Sequence, residues 1–319
     1  MLKTVDQLLA AKSVAVVSHY YGTGPIEALR EFLPKRVAHM FWRAYPLYQK
    51  GKPIITDIAT GGHVQTNGII WRPMPEIIRY MSEIFATVKS ITTTGIRYDC
   101  YIGIDSLNAL AGIILKKLGR TKKVVFYTID FVPQRFANPL LNTLYHRVDR
   151  FCVEHADMTW NLSYRMMEGR EMVSRYPKAL RKKQMELPIG VWWERIKVTP
   201  FSNVNKNQAM FVGHITEKQG LQLVIEAMPE ILTKIPHFTL DIIGDGPYRA
   251  ALAQQIKAAQ LEKNVTFHGF VKDDRIVEHM IAQAAVTLAL YRKENDPFTY
   301  YADPGKIKIY LATGVPVVL

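Results

Sequence analysis

The sequence predicts an α/β protein made of two doubly wound, Rossmann-like domains in tandem, the second of them incomplete. A length of 319 residues suits two cores better than one. Short apolar runs alternate with helix-period segments along most of the chain, which is the pattern of parallel strands joined by crossover helices. Between two such regions, residues 187–191 and 199–207 mix Pro, Gly, Ser and Asn, as an interdomain crossing does. The expected division is a first domain over 1–190, a linker over 191–206 and a second domain over 207–319.

Taken in order, residues 5–11 read as a short helical piece, neither a signal peptide nor a transmembrane helix. Strands are expected at 14–17, 37–41, 68–71, 100–104, 124–128 and 158–162, with helices at 75–90, 106–118 and 140–156. In the helix over 75–90, Ile77, Met81, Ile84, Phe85 and Val88 recur at helical spacing. Such a stripe packs on a core, or marks an interfacial helix, since membrane-surface helices pair an apolar stripe with basic residues. The second half offers strands at 209–213, 239–243, 265–267 and 286–291 between helices at 221–235, 247–259 and 275–284. It ends on a two-turn helix over 306–313, a Gly314 stop and a buried strand over 315–319. A doubly wound sheet normally carries a further covering helix, so a truncated chain is expected.

Composition is that of a globular protein, 48% hydrophobic and 22% charged, which sets aside disordered and fibrous classes. The net charge of +13 is uneven: residues 1–200 carry 29 Lys+Arg against 16 Asp+Glu, and residues 201–319 carry 12 of each. An anionic partner for the first part is implied, a membrane leaflet or nucleic acid. No nucleic-acid-binding module accompanies the charge, so an anionic membrane touched peripherally is preferred and no nucleic acid is expected. Two cysteines, Cys100 and Cys152, lack metal-type spacing and suit a reducing, cytoplasmic setting.

The final motif, Asp303-Pro-x-Lys306-x-x-x-Tyr310-x-Ala312-x-Gly314-x-Pro-Val-Val318, resembles the donor-site helix of GT-B glycosyltransferases, in particular glycosyltransferase family 4. The resemblance continues upstream through Phe211-Val-Gly-His-Ile-Thr-Glu-Lys-Gln-Gly-Leu221, Ile242-Ile-Gly-Asp-Gly-Pro247 and Val265-Thr-Phe-His-Gly-Phe-Val271, in family order. The first 200 residues match only in layout and in Tyr127-Thr-Ile-Asp-Phe131. The resemblance implies two domains facing across a cleft, a nucleoside diphosphate sugar as donor and retention at the anomeric carbon. No Asp-x-Asp triplet occurs, which suits a site without a metal or other cofactor.

Glycine turns and cations are what a parallel sheet uses to hold a diphosphate. Gly213, His214 and Lys218 are expected at the donor, although relatives usually place an arginine and a lysine where this chain has His214 and Gln219. Gly244, Asp245 and Gly246 form a second close-approach loop. Val271 matches the position where relatives hold the nucleobase with main-chain groups. Lys306, at a helix start, is the leading catalytic candidate, its ammonium meeting the departing diphosphate; the plain alternative is a surface lysine. The family's two glutamates should fall at Tyr301 and Ile309, and neither is glutamate here. Ile309 cannot hydrogen-bond a ribose, and Glu294 or Asp303 is a nearby carboxylate.

In the first domain Gly22, Thr23 and Gly24 follow the first strand and are expected beside donor phosphates and acceptor. The third glycine of a dinucleotide fingerprint is missing, so a nicotinamide site is not expected. His19 binds or orients the acceptor, or is a satisfied strand-end histidine. Asp130, where relatives often read His-Asp, orients or deprotonates the acceptor hydroxyl. Arg135 binds acceptor phosphate, or pairs with Asp130. The resulting expectation is a hexosyltransferase acting on a glycan or lipid-linked glycan in cell-envelope polysaccharide synthesis, cytoplasmic or peripheral on the inner membrane face. The alternatives are a noncatalytic sugar-nucleotide or glycan-binding protein, and a nucleotide-sugar epimerase or phosphorylase of the same plan.

Overall fold

The structure is a computed structural model that describes residues 11–20, 25–47, 51–174, 176–291 and 300–319. The chain forms two units, one of Met1–Pro188 with Asp296–Asp303, the other of Ile189–Asn295 with Pro304–Leu319. Each is a doubly wound α/β body. Among the described residues no helix is long and apolar enough to cross a membrane.

The first unit runs β1 Ser13–Tyr20, α1 Pro25–Phe32, β2 His39–Pro46, β3 Ile54–Thr60, β4 His63–Ile69, α2 Glu76–Thr93, β5 Tyr98–Ile104 and α3 Asp105–Lys117. It continues with β6 Thr121–Thr128, α4 Pro139–His155, β7 Met158–Asn161, α5 Tyr164–Ser174 and β8 Gln184–Glu186. The sheet order is β4-β3-β2-β1-β5-β6-β7-β8. From β2 to β8 the strands are parallel, whereas β3 and β4 are an antiparallel extension. The strand expected at 68–71 is thus only the end of β4. The hairpin forms because Gly61 and Gly62, at φ 58° and 87°, make the two-residue turn that right-twisted strands favour.

A second departure concerns α2. Its apolar stripe does not pack as a unit: Val88 packs on the core, but Ile77 is 70% exposed, Met81 64% and Phe85 69%. The inward face is Glu83, Thr87 and Ile91. Polar partners draw it inward, because the Tyr45 hydroxyl bonds the Glu83 carbonyl at 3.0 Å and Thr87 Oγ1 at 2.8 Å.

The edge of this sheet is tied by one fully buried cation. Arg170 on α5 donates to both carboxylate oxygens of Asp149 on α4 at 2.7 and 2.9 Å, to Thr128 on β6 at 2.6 Å and to Gln184 on β8 at 3.0 Å. It also donates to Asn161 on β7. Tyr176 adds a bond to Asp149 at 3.1 Å, so the buried pair is fully hydrogen-bonded.

The second unit runs β9 Asn205–Val212, α6 Leu221–Lys234, β10 Thr239–Ile243, α7 Arg249–Ala258, β11 Val265–Gly269, α8 Asp274–Gln283, β12 Ala284–Leu288, α9 Gly305–Ala312 and β13 Val317–Val318. All its strands are parallel, in the order β11-β10-β9-β12-β13. One core, including Phe211, Ile225, Leu240 and Leu252, lies under α6 and α7. Another, including Met210, Ile281 and Tyr310, lies under α8 and α9.

Candidate functional site

In the second unit the candidate residues converge after the C-terminal ends of β9 and β10, where open parallel sheets bind ligands. Gly213 leaves β9 at φ 150°, and a 3₁₀ turn over Glu217–Gln219 leads to Gly220 at φ 72°, which starts α6. The next loop presses against this one. Ile215 N donates to the Asp245 carbonyl at 2.9 Å, and Tyr248 N to the Ile215 carbonyl at 3.1 Å. Gly244, at φ 129°, sits so close that a Cβ there would lie 2.0 Å from the Gly213 carbonyl oxygen. Only glycine permits that approach.

Lys306 begins α9 and reaches this turn. Its Nζ donates to Gln219 Oε1 and lies 4.4 Å from the Phe211 ring centroid and 5.1 Å from that of Tyr291. A Cβ built on Gly213 would be 3.3 Å from it. Burial away from water pushes its pKa down to about 8. Lys306 is therefore a half-buried, positioned ammonium and not a surface lysine. Gln219, where relatives carry a second cation, accepts a hydrogen bond from the ammonium instead of repelling it. Tyr310, fully buried, anchors α9 by accepting from Val212 N at 2.8 Å.

Of the other expected residues here, His214 and Asp245 are exposed, and Lys218 and Gly246 are half-buried in the two loops. Asp245 accepts from Gly246 N at 2.8 Å. Val271 and Ile309 have their side chains packed on the α8–α9 core, so neither side chain is a polar contact. Tyr301 belongs to the first unit, where it is buried edge-on against Phe131 at 5.7 Å. Glu294 lies outside the described residues, as do Gly22, Thr23 and Gly24.

The first unit gathers a second group at the C-terminal ends of β1, β5 and β6. His19 is the satisfied strand-end histidine: Asn108 donates to Nδ1 at 3.1 Å, and Nε2 lies 2.9 Å from Glu83 Oε2. Arg135 takes its structural alternative, pairing with Asp130 at 3.0 Å, and lies 5.5 Å from the Tyr145 ring. Asp105 was missed by the sequence reading, which began the helix at Ser106. It starts α3 at φ 64°, a left-handed conformation uncommon for any residue but glycine. Burial raises its carboxyl to about 6, with Asp130 adding to the rise and Arg135 and His19 opposing it. The available signal was an acid directly ending the apolar run 100–104, the position at which a strand presents a side chain beyond the sheet.

The paired units, each doubly wound and parallel at its centre, define the GT-B class of fold. Residues 194–299 match the family model described as glycosyl transferases group 1. The chain thus has a GT-B fold with a segment similar to glycosyl transferases group 1; that segment holds three of the four motifs, and the motif over 303–318 lies beyond it. HepE of Anabaena, solved in complex with UDP, aligns over 96% of this chain and 79% of its own, with a TM-score of 0.66 at 16% identity. The 2-deoxystreptamine N-acetyl-D-glucosaminyltransferase of Niallia circulans is 32% identical over 68 residues, 21% of this chain and 18% of that relative. The 2-deoxystreptamine glucosyltransferase of Streptomyces kanamyceticus is 33% identical over 72 residues, 23% of this chain and 19% of that relative. These alignments span about a fifth of either curated relative.

Proposed function

We propose that the protein is a retaining glycosyltransferase that moves a hexose-type unit from a nucleoside diphosphate sugar to a hydroxyl of a glycan or lipid-linked glycan. The observation that carries this reading is Lys306, desolvated between Phe211 and Tyr291 and held at the Gly213 turn beside the Gly244 loop. Such a group meets the diphosphate as it departs: negative charge builds there in the transition state, so the ammonium and the helix amides act most strongly at that moment. No metal is required in this reading. The acceptor hydroxyl attacks the anomeric carbon from the side the diphosphate leaves, the bond from that carbon to the phosphate oxygen breaks, and the hydroxyl proton passes to the departing phosphate. The free nucleoside diphosphate and a glycoside of unchanged anomeric configuration result. Asp130, steadied by Arg135, orients the acceptor hydroxyl.

Titrating a panel of nucleoside diphosphate sugars by calorimetry, with product analysis for any that bind, tests the assignment. Transfer to an acceptor supports it, epimerised donor or phosphorolysis would replace it, and binding without turnover would favour a noncatalytic sugar-nucleotide protein. That last reading draws on Ile309, whose apolar packing leaves no carboxylate at a position where relatives hold the ribose.

Two results are expected from the site's charges. Asp130→Asn should lower acceptor use while donor affinity stays within about twofold, because a charge-assisted contact to the acceptor is lost; an equal loss of donor affinity contradicts the division. Donor affinity should also fall as pH rises through about 8, where free Lys306 loses its proton. With the bound diphosphate restoring the charge, binding is expected to be about tenfold weaker near pH 9 than near pH 7, with proton uptake. Calorimetry in two buffers of different ionisation enthalpy reads the uptake, and a pH-independent affinity would detach Lys306 from the donor. The stability contribution has the opposite sense. The unfolded lysine titrates higher than the folded one, so this group's contribution to stability rises with pH between those two values.

We further infer a cytoplasmic setting with peripheral contact at an anionic membrane, supported by the placement of all net positive charge in residues 1–200.

A further inference from the structure

We propose that the outward face of α2 is a lipid-docking surface that seats the first unit on a bilayer rich in anionic headgroups. The face is built the reverse of an ordinary sheet-covering helix. Glu83 and Thr87 are turned inward and satisfied, while Ile77, Ile78, Met81 and Phe85 stand 70%, 55%, 64% and 69% exposed. With Trp71 and Ala86 they line one open apolar groove. Ile69 and Ile70, 57% and 65% exposed, lead into it from the end of β4. Isolated apolar side chains on a surface mean little, but a contiguous face of large ones marks something that covers it.

Charge decides what covers it. Trp71 is shared with an adjoining cavity lined by Lys52, Arg72 and Arg79, and Lys89 lies one turn beyond Phe85 on the same side of the helix. Lys52, Arg72 and Lys89 are exposed; the exposed acid on this helix, Glu76, is engaged by Tyr80 and Arg79. An apolar ridge with a basic rim suits the headgroup–acyl boundary of an anionic leaflet. A second copy of this chain would bring like charges together around the ridge, so a membrane fits better. The inference rests on the membrane reading given above, yet its test needs no donor or acceptor, so a chain that docks without transferring sugar would sink the enzymatic reading alone.

The experiment is sedimentation of the protein with vesicles of phosphatidylglycerol and phosphatidylcholine against vesicles of phosphatidylcholine alone. Binding is expected on the first, reduced by salt. Ile77→Ser/Met81→Ser/Phe85→Ser should weaken it by about tenfold or more, because these side chains supply the buried apolar area, with thermal unfolding unchanged since all three are exposed. Arg72→Gln/Lys89→Gln should remove the preference for anionic lipid. Both native cysteines are buried, so an environment-sensitive dye on Phe85→Cys reports the face directly and should shift to the blue on vesicle addition. Unchanged binding in the triple variant, or an unshifted dye on vesicles that bind, would overturn the proposal. So would a concentration-dependent dimer, seen without lipid and lost in the triple variant, which would assign the face to a second copy.

Discussion

Lys306→Ala is expected to lower transfer by two or more orders of magnitude while leaving the protein as stable as before or more so. The two halves of that result have one cause. The ammonium is held between two aromatic rings with its pKa pushed down to about 8, so the folded protein bears a desolvation cost for keeping it there. Alanine removes that cost. On the proposed mechanism it also removes a charge-assisted contact to the leaving group, an effect on the order of 3 kcal/mol in the barrier. Steady-state turnover together with thermal unfolding reads both. Near-normal turnover would remove Lys306 from the mechanism, and a large loss of stability would mean that its role is structural.

Arg170→Met is expected to give the largest loss of stability of any single substitution considered, about 3–5 kcal/mol, because Asp149 would remain buried without its counter-charge. Asp149 is 2% exposed and Arg170 fully buried, so solvent cannot replace the missing bonds. Thr128, Asn161 and Gln184 would lose a donor at the same time. Urea unfolding followed by circular dichroism is the measurement. Asp149→Leu combined with Arg170→Met should recover much of the loss, since removing both charges ends the penalty. A single-variant loss below about 1 kcal/mol would mean that water reaches the site.

The second unit was the more legible half of the chain. Its strands are short β-rich runs between glycine-bounded helices, and 239–243 was expected where β10 lies. The turns after β9 and β10 were legible for the same reason: Gly213, Gly220 and Gly244 have positive φ, and that requirement is written in the residue type itself. The first unit was harder. The Gly61-Gly62 signal for a hairpin was present, but β4 is exposed along its length and carries no apolar alternation to support it. The α2 stripe has the spacing that normally indicates a core, and spacing alone does not say which side of a helix meets the sheet.

The sequence by itself determined the fold class, the order of strands and helices in the second unit and the lysine at the start of α9, because apolar period, glycine conformation and helix punctuation are local properties. Tertiary structure alone decided the rest. The Arg170 network joins residues from five elements, Asp105 acquires its raised pKa chiefly from burial by the packed structure around it, and α2 turns its apolar face outward because Tyr45 and His19 engage the opposite one. Such outcomes depend on partners distant in sequence, and burial and pairing energies with those partners outweigh a single helix's preference.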